Sequence, residues 1–229
     1  MSRTQRLSRD ESVKQAEIII PAVVRMFAGC DDAQTSSDVK DVKDFKISIR
    51  NSLRNSSKRN RGGGAMTSAL LNVLYHDKKD TGQDLTFKQL LFRIRHLLNQ
   101  KGFTQIPQLS SSRPSNLDEK FTLLPPNFSG RRHAVLIGIN YVGDNVGELE
   151  GSHNDVRRIK EYIQVCHGFL DDDIVMLMDD GNHTQPTAMN IMRTFQKLAK
   201  QTKPGDAVFV HFSGCVRTLQ YKEQEILIL

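Results

Sequence analysis

What constrains this chain most is the order of apolar runs in its second half. HAVLIGINY (133–141), DIVMLMDD (173–180) and DAVFVHF (206–212) are short, nearly continuous apolar runs. Between them stand GSHNDVRRIKEYIQVCHG (151–168) and TAMNIMRTFQKLAK (187–200), both with helical spacing of their apolar residues. Strand, helix, strand, helix, strand predicts an α/β fold, a mostly parallel sheet flanked by helices and joined by right-handed crossovers. Strands that are apolar on both faces suit a sheet covered on both sides. In such sheets functional groups gather beyond the carboxyl ends of the strands, which here are INYVGDN, LMDDGNH and HFSGC. No GxGxxG follows the first run, and GGGAMTS (62–68) lacks the lysine of a phosphate loop, so the sequence speaks against nucleotide binding.

The first half has another rhythm. SVKQAEIII (12–20) reads as a short helix leading into AVVRMFAGC (22–30), a strand that reaches a glycine turn. A polar stretch rich in Asp, Ser and Thr follows, and then RNSLRNSSKRNR (50–61), a basic run without an acid that holds much of the +6 net charge. That run is read as a solvated basic loop rather than a nucleic-acid patch. GGG (62–64) reads as a flexible lead into the helical pattern AMTSALLNVLYH, and LTFKQLLFRIRHLLNQKG (85–102) as a second helix with Thr86 as cap and Gly102 as stop. Pro, Ser and Asn then accumulate through PSNLDEKFTLLPPNFSGRR (114–132), so a linker is expected over 109–131.

Three scattered cysteines among 229 residues make no disulfide framework and show no metal-ligand spacing, so a reducing, cytoplasmic setting is expected and no metal site. No apolar run has the roughly 20 residues of a membrane span. Cys30 and Cys166 read as structural thiols, Cys166 as a core or half-buried one. The acidic clusters Asp171–Asp173 and Asp179–Asp180 read as solvated turn and cap residues.

Several of these stretches together resemble one family. RRHAVLIGINYVG, LEGSHNDVRRIKEYI, DIVMLMDD and TKPGDAVFVHFSG are similar, in order, to the large-subunit (p20-like) half of the metacaspases. FAGCDDAQTSSDV, GGGAMTSALLNVLY and LTFKQLLFRIRHLLNQKGFTQIPQLSSSRP resemble the small-subunit (p10-like) half. The resemblance implies a caspase-like fold in permuted order: a p10-like half over 1–108, the linker, a shortened p20-like half over 132–214, and a divergent tail over 215–229. That order is similar to the type III metacaspases. The function it implies is cysteine endopeptidase activity on proteins or peptides with Arg or Lys at P1, the residue before the cut bond, usually with calcium. It also implies a P1 pocket built from Asp155, Ser152 and Ser213. Read alone, Asp155 is a first-turn acid favoured by the helix dipole.

One departure bears on catalysis. The resemblance places a HFSGHG-like turn after the third strand, with the second His as catalytic base; this chain has HFSGCV, with Cys215 in that place. The catalytic Cys would stand on a further strand beyond residue 229, as would the calcium-binding acids. A thiol with a pKa of roughly 8.5 is a poor proton shuttle at neutral pH. His211 and His153 are the candidate bases if Cys215 were itself the nucleophile. The expectation is therefore a catalytically incomplete chain without a bound cofactor, the alternatives being a non-catalytic, protease-like binding or regulatory module, or a truncated gene product. With a central strand missing, the edges Val23–Phe27 and Val208–Phe212 would lie unpaired, favouring self-association or pairing with a full-length relative. The apolar end of the tail, 225–229, is expected to fill the gap or to add to another molecule.

Overall fold

A computed structural model describes residues 11, 14, 18, 21–30, 38–39, 62–81, 84–143, 147–215, 217–221 and 224–228. In chain order the elements are β1 (Arg25–Ala28), β2 (Asp38–Val39), β3 (Gly63–Gly64), α1 (Ala65–Thr81), α2 (Phe87–Gln100), β4 (Gln108–Ser111), β5 (Arg132–Gly138), α3 (Ser152–His167), β6 (Ile174–Met178), α4 (Ala188–Gln201), β7 (Ala207–Ser213), β8 (Arg217–Tyr221) and β9 (Gln224–Ile228). They gather into two compact units that interleave along the chain, one from 1–35 and 84–121, the other from 36–83 and 122–229. The basic run 50–61 and the segment 12–20 lie outside the described residues, apart from positions 14 and 18.

In the first unit α2 begins with the expected cap. The Thr86 hydroxyl accepts from Gln89 N, and the Gln89 side chain accepts in return from Thr86 N, a reciprocal capping box that satisfies two orphan donors. Leu90, Ile94 and Leu98, spaced four apart, form its fully buried stripe. Phe121 packs edge-on against Phe27 and Phe87, and the Arg25 guanidinium lies 4.7 Å over the Phe87 ring. β1 runs antiparallel to β4, Phe27 opposite Leu109, its one ladder partner among the described residues. Gln108–Ser111 overlaps the start of the segment read as a linker. Its polar QLSS has no strand signature; it is a strand because β1 offers it a ladder and Ser112 adds a hydroxyl acceptor for Val24 N–H.

In the second unit the predicted parallel sheet is present with strand order β6-β5-β7. Ala134 pairs with Ile174 on one side and Phe209 on the other, and the register runs without a bulge to Gly138, between Met178 and Ser213. The alternation of β5 then sorts the faces. Val135, Ile137 and Ile139 form a cluster with Leu177 and Ile191 of α4, while Gly138 meets α3. β5 is buried on both faces, as its sequence predicts. The flanking strands are covered less: Val175, Val208 and Val210 stay exposed because β6 and β7 each have β5 as their one strand neighbour in this sheet among the described residues. The tail does not join that sheet. β8 and β9 pair with each other, Leu219 opposite Ile226, because a hairpin within 217–228 closes its ladder locally. No helix of the described residues is long and apolar enough to cross a membrane.

The crossing of β5 and α3 is set by Gly138. A Cβ there would stand 2.8 Å from Val156 Cγ2 and 3.0 Å from the Ser152 carbonyl oxygen, so any side chain pushes α3 off the sheet. Gly138→Ala is expected to lower stability by about 1–3 kcal/mol, read as a lower urea midpoint at unchanged slope.

Candidate functional site

Everything placed at the carboxyl edge of the β6-β5-β7 sheet follows from where the strands stop. β5 runs out into Asn140–Tyr141, β6 into Asp179–Asp180 and β7 into Ser213–Gly214, while α3 starts at Ser152 just above Gly138. Two carboxylates organise this edge.

Asp155, in the first turn of α3, is 0% exposed. Its Oδ2 accepts the Gly64 N–H at 2.9 Å and the Ser213 hydroxyl at 2.9 Å. The Thr67 side chain, in the first turn of α1, also favours the charged form. The Arg158 guanidinium, one turn along α3 and itself buried, stands 3.9 Å from Oδ1. Oδ1 is buried and takes no hydrogen bond among the described residues. Burial pushes the Asp155 carboxyl up to about 7, against the pull of Gly64, Ser213, Arg158 and Thr67, which all favour the charged form.

Asp179 ties the loops together. Its Oδ1 accepts Asn140 N–H at 2.9 Å and lies 2.6 Å from His153 Nε2, and its Oδ2 accepts Val142 N–H at 3.0 Å. Burial works against its charge, but the Asn140 amide, the His153 ring and the Val142 amide outweigh it and hold the carboxyl below the usual range. Asn140 passes the order on, its Oδ1 accepting Ser152 N–H at 3.0 Å. Asn154 Nδ2 donates to the Gly62 carbonyl at 3.1 Å, a second tie from α3 to the segment before α1.

Of the residues read from sequence, Asp155 and Ser213 are in direct contact, and Ser152 is buried three positions before Asp155. Cys215 is half-buried just past β7, and its carbonyl accepts from the Tyr141 hydroxyl. His153 is engaged by Asp179. His211 is half-buried on β7 opposite Leu136; shielding of its ring from water pushes it down to about 4, and its Nε2 meets no partner among the described residues. Cys30 is half-buried after β1, whereas Cys166 is exposed rather than in the core, although it stands seven residues on from the buried Ile159, near the carboxyl end of α3. Gly64, Thr67 and Arg158 were not singled out in the sequence. Only the i, i+3 spacing of Asp155 and Arg158 in NDVRR signals any of them; Gly64 reaches Asp155 across 91 residues of chain.

Most carboxylates of the two acidic clusters are paired with basic side chains. Asp171 pairs with Lys160, Asp173 with Arg131, Asp179 with His153, and Asp180 with His183 and Arg157. Among the described residues no three His, Cys, Asp or Glu side chains are grouped to hold a metal ion.

A parallel sheet with helices packed against it and a buried carboxylate at its carboxyl edge, taken with the motifs, defines a caspase-like domain. The Caspase domain family matches residues 3–118, and the family described as Metacaspase, peptidase C14 domain, matches residues 132–226. Over 214 residues the chain is 43% identical to Metacaspase III c of Phaeodactylum tricornutum, covering 93% of this chain and 61% of that protein. It is 38% identical over 118 residues to Metacaspase-1 of Sclerotinia sclerotiorum, covering 51% of this chain and 27% of that protein. With Metacaspase-1 of Botryotinia fuckeliana the identity is 43% over 90 residues, 38% of this chain and 21% of the relative. The chain belongs to the caspase-domain peptidase family, in its metacaspase branch. It spans less than two thirds of the length of each of these relatives.

The raised Asp155 carboxyl fixes a pH dependence. Unfolded, the group ionises near the ordinary aspartate value of 3.8; folded, it holds its proton to about 7. Its contribution to stability is fully present below pH 4 and is lost as the pH rises from about 4 to about 7, by on the order of 4 kcal/mol. Asp155→Asn removes that loss, so the stability difference between wild type and variant, measured by urea unfolding, should change in the variant's favour across this window and stay flat above it.

Proposed function

We propose that this chain is the substrate-recognising part of a metacaspase-type cysteine endopeptidase in the type III arrangement. Its substrates are proteins presenting Arg or Lys at P1, and Asp155 is the carboxylate that receives the basic side chain, with Ser152 and Ser213 beside it. The observation that carries this is the meeting of Asp155 and Ser213 at 2.9 Å on the carboxyl edge of the sheet. A carboxylate that stays largely desolvated is a strong specificity device, because an entering guanidinium supplies two parallel charge-assisted hydrogen bonds and restores the charge that burial suppresses. A neutral P1 side chain supplies neither.

The same reading assigns no hydrolysis to the 229-residue chain, since Cys215 stands where the family motif has its imidazole. What supports this is the surroundings of the histidines of the second unit whose side chains are described. His133 lies 3.5 Å from Asp206, His153 is held by Asp179, His167 by the Tyr162 hydroxyl and His183 by Asp180, and His211 is half-buried with its Nε2 shielded. The partner class is therefore basic peptide segments, bound without being cut. Purified chain is expected to leave Arg- and Lys-based peptide reporters intact, with and without millimolar calcium, and calcium is expected not to raise its melting temperature. Turnover abolished by Cys215→Ala, or a saturable calcium-dependent rise, would overturn these assignments.

Self-association is the second partner reading, favoured by the outer side of β7, where Val208 and Val210 are 45% and 47% exposed. Exposed apolar strands with one free ladder edge pair with other chains. Val210→Lys is expected to shift the chain to smaller species in light scattering after size exclusion. A wild type already monomeric at high concentration would refute it.

A further inference from the structure

The Asp155 carboxylate is fully buried, and what covers it is the chain itself. Three of its neighbours belong to long elements: Ser213 to a seven-residue strand, Arg158 to a sixteen-residue helix and Thr67 to the first turn of α1. Gly64 is different. It donates a backbone amide from β3, a strand of two residues whose only ladder among the described residues is a two-residue pairing with Asp38–Val39. The approach depends on glycine, because a Cβ at position 64 would stand 2.7 Å from Asp155 Oδ2. The other carboxylate oxygen, Oδ1, is buried and accepts no hydrogen bond; it faces the Arg158 guanidinium at 3.9 Å, beyond bonding distance. One oxygen is thus filled by the Ser213 hydroxyl and by a neutral main-chain donor from a two-residue strand, and the other accepts no hydrogen bond among the described residues.

We propose that the Gly62–Gly64 segment is an internal occupant of the Asp155 subsite, holding by its amide the place that the basic side chain of an Arg- or Lys-bearing peptide takes, and that Gly64 sets how tightly the subsite is closed. This rests on the reading of Asp155 as the P1 carboxylate. The exchange is chemically reasonable: a neutral amide offers the carboxylate one hydrogen bond, a guanidinium two, with charge. The segment that must leave is the one with the fewest ladder bonds, and local opening is drawn from such elements. Because the closed form predominates, the apparent affinity for a basic ligand is the intrinsic affinity scaled by the open fraction. Loosening the segment therefore tightens binding.

The test uses the full 229-residue chain with Nα-acetyl-arginine methylamide as probe and the norleucine analogue as uncharged control, followed by NMR titration and by hydrogen exchange of the Gly64 amide. Wild type should bind the arginine probe weakly and the norleucine control not at all, and exchange at Gly64 should accelerate on saturation. Gly64→Ala, whose Cβ displaces the segment, should bind about tenfold tighter. Asp155→Asn should lose binding in both backgrounds. If Gly64→Ala does not fold, the exchange measurement on wild type decides by itself. Binding that Asp155→Asn abolishes, with Gly64 exchange unchanged by the probe, would overturn the internal occupant while leaving Asp155 as the receptor. No Asp155-dependent binding in wild type or in Gly64→Ala would overturn the P1 reading and the occupant together.

Discussion

The second unit depends on a carboxylate held almost out of reach of water. An uncompensated buried charge costs several kcal/mol, so Asp155 is tolerable only because segments far apart in sequence deliver donors to one point. Gly64 and Thr67 come from the lead into α1, Ser213 from the end of β7, and Arg158 from the same helix one turn on. Burial still dominates and keeps the group near neutrality's edge, at about 7. One side chain thereby fixes where α1 begins, where β7 ends and how the first turn of α3 is turned. Asp179 does the corresponding work for the loops with better compensation: its three donors outweigh its partial burial, and it stays charged.

The sheet explains why both carboxylates lie where they do. β5 is the central strand, and its exit residue Asn140 is gripped twice, its amide by Asp179 and its side-chain oxygen by Ser152 N–H. Gly138 lets α3 descend onto the sheet at that level. The spacing between the end of β5 and the start of α3 is thus set by packing rather than by loop length, and Ser152, His153, Asn154 and Asp155 are delivered as one buried turn. A side chain at 138 would disturb the Asp155 cluster without touching it.

The parts legible in the sequence are those governed by local periodicity. The three parallel strands and two crossover helices follow from alternating apolar runs, and the capping box of α2 from Thr86 and Gln89 three residues apart. The part not legible is what long-range pairing decides. QLSS becomes β4 because β1 lies beside it, not because of its own composition. At the site, Asp155 and Ser213 were legible as members of motifs at strand and helix ends. Gly64 was not, since GGG before a helix has an adequate local reason in backbone freedom, and nothing local says that one of its amides is spent on an acid 91 residues away. The exposure of Cys166 was not legible either: its spacing from Ile159, Tyr162 and Ile163 puts it on the buried face of α3, but it lies in the helix's last turn and is exposed.

Cys215 separates what the sheet edge fixes from what a side chain decides. Its main chain is still anchored, the carbonyl accepting from Tyr141 at the end of β5, so the position beyond β7 is held by the sheet edge irrespective of the side chain there. The chemistry of the position depends on the side chain alone. An imidazole can both take and return a proton near neutral pH, whereas a thiol of ordinary pKa does neither efficiently. Making the thiol a nucleophile instead requires a base beside it. His153 is held by Asp179, and His211, half-buried on β7 opposite Leu136 and pushed down to about 4, is neutral. The Asp155 cluster is built by packing around β5 and α3, and takes no hydrogen bond from position 215 among the described residues.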